Sequence, residues 1–257
     1  MSLLAVQSVH RCFGGLQAVK DVSFSVERGQ IKAVIGPNGA GKTTLFNLIS
    51  GSLGVDTGRI LFNGIPIQSR RPHQIAALGL RRTFQNVKLF HGMTVLENVM
   101  LGCHTRARAG FLAGLCAAPW TWDEERRVRT EALAALEFLR LTGYAGLEAG
   151  RLAFGQQRQV ELARALAGRP ALLLLDEPAA GLNRHETDEL AGTLRRIRDR
   201  DSTVVLVEHD MSLVMGISDE IVVLNSGVKI AEGPPAAIQR NAEVVRIYLG
   251  EEETADC

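Results

Sequence analysis

Over the first part of the chain, apolar and polar residues alternate in short bursts. The runs "LLAVQSV", "VSFSV", "IKAVI" and "RILFNG" have β character and are separated by turn signals such as "RGQ" and "FNG". From about Thr94 the period changes. "TVLENVMLG" reads as a helix with Thr94 at its N-cap and Glu97 three residues on, a capping box. "WDEERRVRTEALAALEFLRL" sets Val128, Ala132, Leu133, Leu136 and Leu139 on one helical stripe. After about Gly155 strands and helices alternate again. The helix "QQRQVELARALA" precedes the strand "ALLLL", and a helix near Glu186–Arg198 precedes "TVVLV". The strand "EIVVLN" follows later.

Near-continuous apolar strands alternating with helices predict an α/β fold whose parallel sheet is buried on both faces. The helix-rich middle reads as an insertion into that core. The expected division of the 1–257 chain is therefore an α/β core from 1–85 and 159–257, with an inserted helical subdomain over 86–158. Apart from a short acidic tail, "EEETADC", no repeat or low-complexity segment stands out.

Composition narrows this picture. A chain of 257 residues builds its core without a disulfide or metal staple. A net charge of +1 gives no bulk reason to bind nucleic acid. The cysteines Cys12, Cys103, Cys116 and Cys257 are scattered with no CxxC pair, which argues for a reduced compartment and no zinc site. The start "MSLLAVQSVH" lacks the basic and apolar regions of a signal peptide. No uncharged apolar run approaches the ~20 residues of a membrane span. The cytoplasm is the expected location.

The chemistry concentrates in three places. "IKAVIGPNGAGKTTLFNLI" holds Gly36-x4-Gly41-Lys42-Thr43 between a β-branched strand and an apolar-periodic helix, the context a Walker A loop requires. Gly36, Gly39 and Gly41 let several N–H groups point at one anion, and the following helix adds its partial positive charge. Lys42 is placed for the β- and γ-phosphates and the Thr43 hydroxyl for Mg²⁺. "ALLLLDEP" ends a buried strand in Asp176 and Glu177, where α/β folds bind ligands. Asp176 is suited to hold Mg²⁺ through water, and Glu177 to polarise an attacking water as a general base. A third apolar strand, "VVLVEHD", delivers His209 to the same edge.

Taken together, "GPNGAGKTT", "RTFQNVKLF", "LAFGQQRQVELARALA", "LLLLDEPAAGLN" and "VEHD" resemble the ATPase subunits of ABC transporters, in the family's order and from Phe13 to Asp210. The resemblance implies a P-loop NTPase core of RecA-like type, an N-terminal antiparallel β subdomain and an inserted α-helical subdomain. It implies ATP and Mg²⁺ as ligands. The ATP contacts fall on Gly36, Pro37, Asn38, Gly39, Ala40, Gly41, Lys42, Thr43 and Thr44, with Phe13 stacked on adenine. Gln85 becomes the glutamine that touches Mg²⁺ and water, His209 the switch histidine, and Asn183 the D-loop position where Asp is usual. Leu152, Ala153, Phe154, Gly155 and Gln156 match the signature motif, which closes over the nucleotide of a facing subunit.

Two departures stand out. Ala153 replaces the usual Ser and Phe154 the usual Gly. Loss of the hydroxyl removes a hydrogen bond to phosphate of the kind worth ~1.5–3 kcal/mol. A weakened rather than abolished grip is expected, because the helix start and Gly155 remain.

The runs "LAFGQQR", "GLRRTFQNVKLFHGMTVLENV", "EHDMSLVMGISDEIVVLNSGVKIAEG" and "EVVRIYLGEE" are similar to ATPases of branched-chain amino acid importers. "HTRARAGFLAGLCAAPWTWDEERR" looks like the extra residues of the longer, LivG-type ATPase in those systems. That resemblance implies a non-identical second ATPase, two permeases and, indirectly, an extracytoplasmic binding protein. It implies a peripheral place on the cytoplasmic face of the inner membrane and no nucleic-acid partner. "AGFLAGLCAAPW" reads as packing of the helical subdomain, partly exposed at the permease contact. Import of another small solute, such as urea or an amide, is the alternative. A soluble, non-transport ABC ATPase is a further one. A GTPase or kinase would leave "LAFGQ" and Gln85 unexplained and lacks a guanine-reading NKxD.

Overall fold

Leu3, Leu4 and Val6 are buried at the start of strand β1 (Ser2–Phe13), and Gln7 and Ser8 beyond them are exposed. Ser8, at φ +44°, marks a register shift that brings Val9 back to the buried side. In the computed structural model, which describes residues 2–85, 87–106 and 119–252, β1 pairs antiparallel with β2 (Leu16–Glu27) and with β4 (Thr57–Phe62). With the short β5 (Ile65–Pro66) they form a sheet of order β2-β1-β4-β5.

The second sheet follows a different rule. Strands β3 (Ile31–Ile35), β7 (Leu172–Asp176) and β8 (Thr203–Val207) are buried at every position. Such strands need cover on both faces. Helices α1 (Lys42–Ile49), α6 (Arg184–Arg198) and α7 (Met211–Ile217) alternate with them along the chain. Strand β3 pairs parallel with β8 and with β9 (Glu220–Asn225), and β8 pairs parallel with β7. Strand β10 (Val228–Gly233) is antiparallel to β9, and helices α8 (Pro235–Gln239) and α9 (Ala242–Glu252) end the described chain.

The chain divides into two compact units, Met1–Ile75 with Ala171–Cys257, and Ala76–Pro170. Helix α2 (Pro72–Ala77) lies at the boundary. The second unit contains β6 (Leu80–Arg82), α3 (Val95–Met100), a 3₁₀ stretch (Leu101–Arg106), α4 (Pro119–Phe138) and α5 (Phe154–Ala167). It is wider at both ends than the expected 86–158 insertion. At the C-terminal side the reason is packing: α5 lies against α3 and α4, and at its far end the Cys103 thiol reaches the Ala167 carbonyl, 3.5 Å away.

The Thr94 capping box is present, with the Thr94 hydroxyl accepting from Glu97 N–H and the Glu97 carboxylate accepting from Thr94 N–H. On the α4 stripe, Ala132, Ala135, Leu136 and Leu139 are buried, whereas Val128 and Leu133 are half-buried. The inward face thus takes in Ala135 rather than Leu133. The "AGFLAGLCAAPW" segment lies outside the described residues except for Pro119 and Trp120, which open α4.

One buried cation ties the two sheets of the first unit together. Lys32, the second residue of the otherwise apolar β3, is 1% exposed. Its ammonium meets Glu220 and Glu232 carboxylate oxygens at 2.7 Å each and donates to the Ser25 carbonyl of β2. The Lys32 hydrogen bond is the main cause holding the Glu220 carboxyl below its usual range. We expect Lys32→Ala to destabilise the protein by about 3 kcal/mol, near the lower bound for breaking a buried pair. Lys32→Met, which keeps the aliphatic stem, is expected to cost less. Because the folded pKa of Glu220 is depressed, its stabilisation is in place above the unfolded carboxylate value and is lost as pH falls through the folded one. Thermal unfolding checks this: the gap between wild type and Lys32→Met should narrow on acidification.

Candidate functional site

Parallel neighbours end on the same side of a sheet. Strands β3, β8 and β7 are adjacent and parallel, so the residues that follow them emerge on one edge. The Gly36–Gly41 loop follows β3, Asp176 and Glu177 lie at the end of β7, and His209 follows β8. Separations of well over a hundred residues are closed by topology alone.

The loop conformation depends on glycine. Gly36 has φ +148° and Gly41 φ +97°. A Cβ on Gly36 would lie 2.0 Å from the Leu224 carbonyl oxygen, and one on Gly41 2.3 Å from that of Ala18. Both are backbone atoms, so neither clash is relieved by a rotamer change. Gly41 is also the N-cap of α1 and offers no side-chain acceptor, which leaves the first N–H groups of the helix directed at the loop. Lys42 is 5% exposed. Its ammonium donates to the Pro37 carbonyl at 2.8 Å and to that of Gly36, so the cation is held inside the loop. Asn38, Gly39 and Thr43 are exposed, Pro37 and Thr44 half-buried, and Ala40 buried.

At the neighbouring strand ends Asp176 is 5% exposed. Glu177 adopts φ +48°, left-handed for a residue with a side chain, a state that costs roughly 1–3 kcal/mol and persists only where surroundings impose it. Its Oε1 lies 3.0 Å from His209 Nε2. A proton on Nε2 donates to the carboxylate and orients it.

Sequence patterns do not single out Glu208. It is 4% exposed, and its carboxylate accepts from the N–H groups of Ala179, His209 and Asp210. Burial pushes its pKa up, the N–H donors led by Ala179 pull it down, and the nearby Glu177 charge raises it. The one signal in the chain is a carboxylate placed directly after four apolar strand residues, Val204 to Val207.

Phe13 is exposed at the end of β1, and the Arg11 guanidinium lies 4.8 Å from its ring centre. Arg11 is held in turn by Asp56 at 2.7 Å and the Gly54 carbonyl at 3.2 Å. Asn183 is the N-cap of α6. Its side chain accepts from Glu186 N–H at 3.0 Å, while its own N–H donates to Glu186 at 2.8 Å. The carboxamide therefore serves its own helix, a role Asp fills equally well.

In the second unit, the signature residues start α5. Ala153 is the N-cap and supplies no acceptor, Gln156 accepts from Ala153 N–H at 3.2 Å, and Gln157 donates to the Leu152 carbonyl at 2.9 Å. Ala153 and Phe154 are exposed, Gly155 and Gln156 half-buried, and Leu152 buried. The Phe154 ring carries the Arg158 guanidinium at 5.3 Å.

Gln85 is exposed on a segment clamped by the same helix. The buried Glu161 carboxylate accepts from Phe84 and Lys88 N–H groups, and Arg164 donates to the Lys88 carbonyl. Burial is the first cause holding Glu161 above the usual carboxylate range, with Arg164 opposing it. Neither Glu161 nor Arg164 is distinguishable in sequence from an ordinary helix-surface pair.

Known proteins are similar to this chain over nearly its whole length. The family model described as ABC transporter matches residues 19–180, and that described as branched-chain amino acid ATP-binding cassette transporter matches residues 228–254. The chain is 47% identical over 250 residues to the high-affinity branched-chain amino acid transport ATP-binding protein BraF of Pseudomonas aeruginosa, covering 97% of this chain and 98% of the relative. It is 44% identical over 254 residues to LivG of Escherichia coli, described in the same words, with 97% and 98% covered. Among solved structures, an ATP-binding cassette of an ABC transporter in its ADP conformation aligns with a TM-score of 0.85 at 33% identity, covering 97% of this chain and 99% of that one. A nucleotide-free cassette aligns at 0.84 and 33%, covering 96% and 99%.

Proposed function

The chain belongs to the ABC transporter family of ATP-binding proteins, and on that premise we propose that it is the ATP-hydrolysing subunit that energises an importer of branched-chain amino acids. The observation that favours hydrolysis over binding alone is the Glu177 carboxylate, held 3.0 Å from His209 beside a glycine loop. Support for the solute class is the near-full-length similarity to two branched-chain amino acid transport proteins.

The roles follow from chemistry. N–H groups of Gly36–Thr44 and the start of α1 bind the phosphates, and Lys42 exchanges loop carbonyls for β- and γ-phosphate oxygens. Phe13 stacks on adenine with one face backed by Arg11. Glu177 accepts a proton from the attacking water, and His209 orients that carboxylate and approaches the γ-phosphate. Magnesium requires hard oxygen donors. The buried Asp176 carboxylate and the exposed Thr43 hydroxyl fit that need and would hold it. When bound, it neutralises charge on the β- and γ-phosphates. The residues 152–156 at the start of α5 grip the nucleotide of a facing ATPase through backbone N–H groups, since Ala153 has no hydroxyl. Asn183 serves as an uncharged D-loop residue between the two sites. The cassette core and its helical insertion carry these two roles.

A facing ATPase is therefore needed, and we propose a non-identical homologue. Two permeases and, through them, an extracytoplasmic binding protein complete the system, on the cytoplasmic face of the inner membrane. Among the described residues no helix is long and apolar enough to cross a membrane, so attachment would be peripheral.

The test is affinity purification in mild detergent from the native cell, joined to uptake assays after deletion of the gene. Two permeases and a second ATPase should co-elute, and leucine uptake should fall. Unchanged leucine uptake with lost uptake of urea or an amide would move the solute assignment to that class. Elution without any membrane protein would argue for a soluble ATPase.

A further inference from the structure

Glu208 has no role in the chemistry above, although it lies against both residues that carry it. Its two carboxylate oxygens divide their work. Oε1 accepts from Ala179 N–H at 2.6 Å, in the turn that follows Glu177. Oε2 accepts from His209 N–H at 2.9 Å and, at 3.4 Å, from that of Asp210. A buried carboxylate with several N–H donors is a strong fixed point, since each bond is charge-assisted.

The turn it holds is a strained one. Glu177 occupies left-handed backbone, which the surroundings must impose. The turn closes on itself through Ala180 N–H to the Glu177 carbonyl at 3.1 Å. It is then tied to the end of β8 at two points. Glu177 N–H donates to the Val207 carbonyl at 2.9 Å, and Ala179 N–H donates to Glu208. The same carboxylate fixes the backbone of His209. One side chain thus refers both members of the Glu177–His209 pair to a single strand end.

We propose that Glu208 is a positioning residue for ATP hydrolysis, holding the Glu177 turn and the His209 backbone in register so that the two side chains meet. The inference rests on the reading of Glu177 and His209 given above. Glu208 acts through Glu177 and not on the nucleotide. Gln at this position would turn an amide NH₂ toward one set of N–H donors and keep only the other. Ala would remove both.

The assembled transporter carrying Glu208→Ala, Glu208→Gln, Glu177→Gln or Glu208→Ala with Glu177→Gln is assayed for kcat, KM, nucleotide Kd and thermal midpoint. Glu208→Ala should lower kcat between about tenfold and a hundredfold, the scale of a misplaced reacting group, with nucleotide Kd nearly unchanged. Combined with Glu177→Gln it should lower kcat little further, because both changes disable one unit. Glu208→Gln should fall between wild type and Glu208→Ala. If Glu208→Ala does not fold, Glu208→Gln, which preserves volume, carries the same comparison.

A lowered midpoint with wild-type kcat per folded molecule would leave Glu208 a purely structural residue and overturn the proposal. So would losses that multiply in the double variant. A slow Glu177→Gln beside a normal Glu208→Ala removes only the positioning role. Wild-type turnover by Glu177→Gln removes the reading of Glu177 itself, and the positioning role with it.

Discussion

Glu177→Gln should slow ATP hydrolysis by on the order of 10²–10⁴-fold, the contribution of a positioned general base, while ATP still binds. Gln keeps the size of the side chain and an oxygen that accepts from His209 Nε2, now 3.0 Å from Glu177. It loses the basic lone pair that takes the proton of water. The left-handed backbone at this position is no worse for Gln than for Glu, so folding should be unaffected. Single-turnover measurements with ATP, beside equilibrium nucleotide binding, separate the two effects. The ATPase pair should accumulate in its closed, ATP-bound form. Rapid turnover by the variant would take Glu177 out of the base role.

Lys42→Ala should fail one step earlier, at binding. The ammonium is 5% exposed and bonded to the carbonyls of Gly36 and Pro37. Its charge is the largest positive charge the loop itself carries. With two charge-assisted bonds to phosphate at ~1.5–3 kcal/mol each, the loss in ATP affinity should reach at least about 10²-fold. The variant also removes the tie that draws the loop carbonyls inward, so loop order and phosphate binding fall together. Titration calorimetry with ATP, at matched thermal stability, checks this. The contrast with Glu177→Gln is the informative part: one variant binds and stalls, and the other does not bind. Equal ATP affinity in wild type and Lys42→Ala would contradict the placement of Lys42 at the phosphates.

Both predictions concern residues whose chemistry is legible in the amino-acid sequence. The strand "IKAVI", the glycine loop and Lys42-Thr43 are contiguous, and the N–H cradle they form is a local property of backbone conformation. The apolar runs "LLLLD" and "TVVLV" announce strands buried on both faces, and such strands become parallel neighbours in an α/β fold. The Thr94–Glu97 box is equally local, because its two hydrogen bonds span three residues.

Long-range side-chain placement is not legible in this way. Glu208 meets Ala179 across 29 residues of chain, Glu161 meets Lys88 across 73, and Lys32 meets Glu232 across 200. Each of these is a charged residue that composition and periodicity assign to solvent. Sheet order and register bring them to their partners, and burial then turns a charge into a structural tie because an unpaired one would be too costly. Asn183 shows the same limit from the other side. Its identity suggests a changed signal between two sites, and its place at the start of α6 gives it a helix to cap. Short-range patterns along the chain thus identify the reacting groups, because those depend on loop and strand ends. Which other side chains hold those groups in place is decided by the folded topology, because it alone sets distances between residues far apart in sequence.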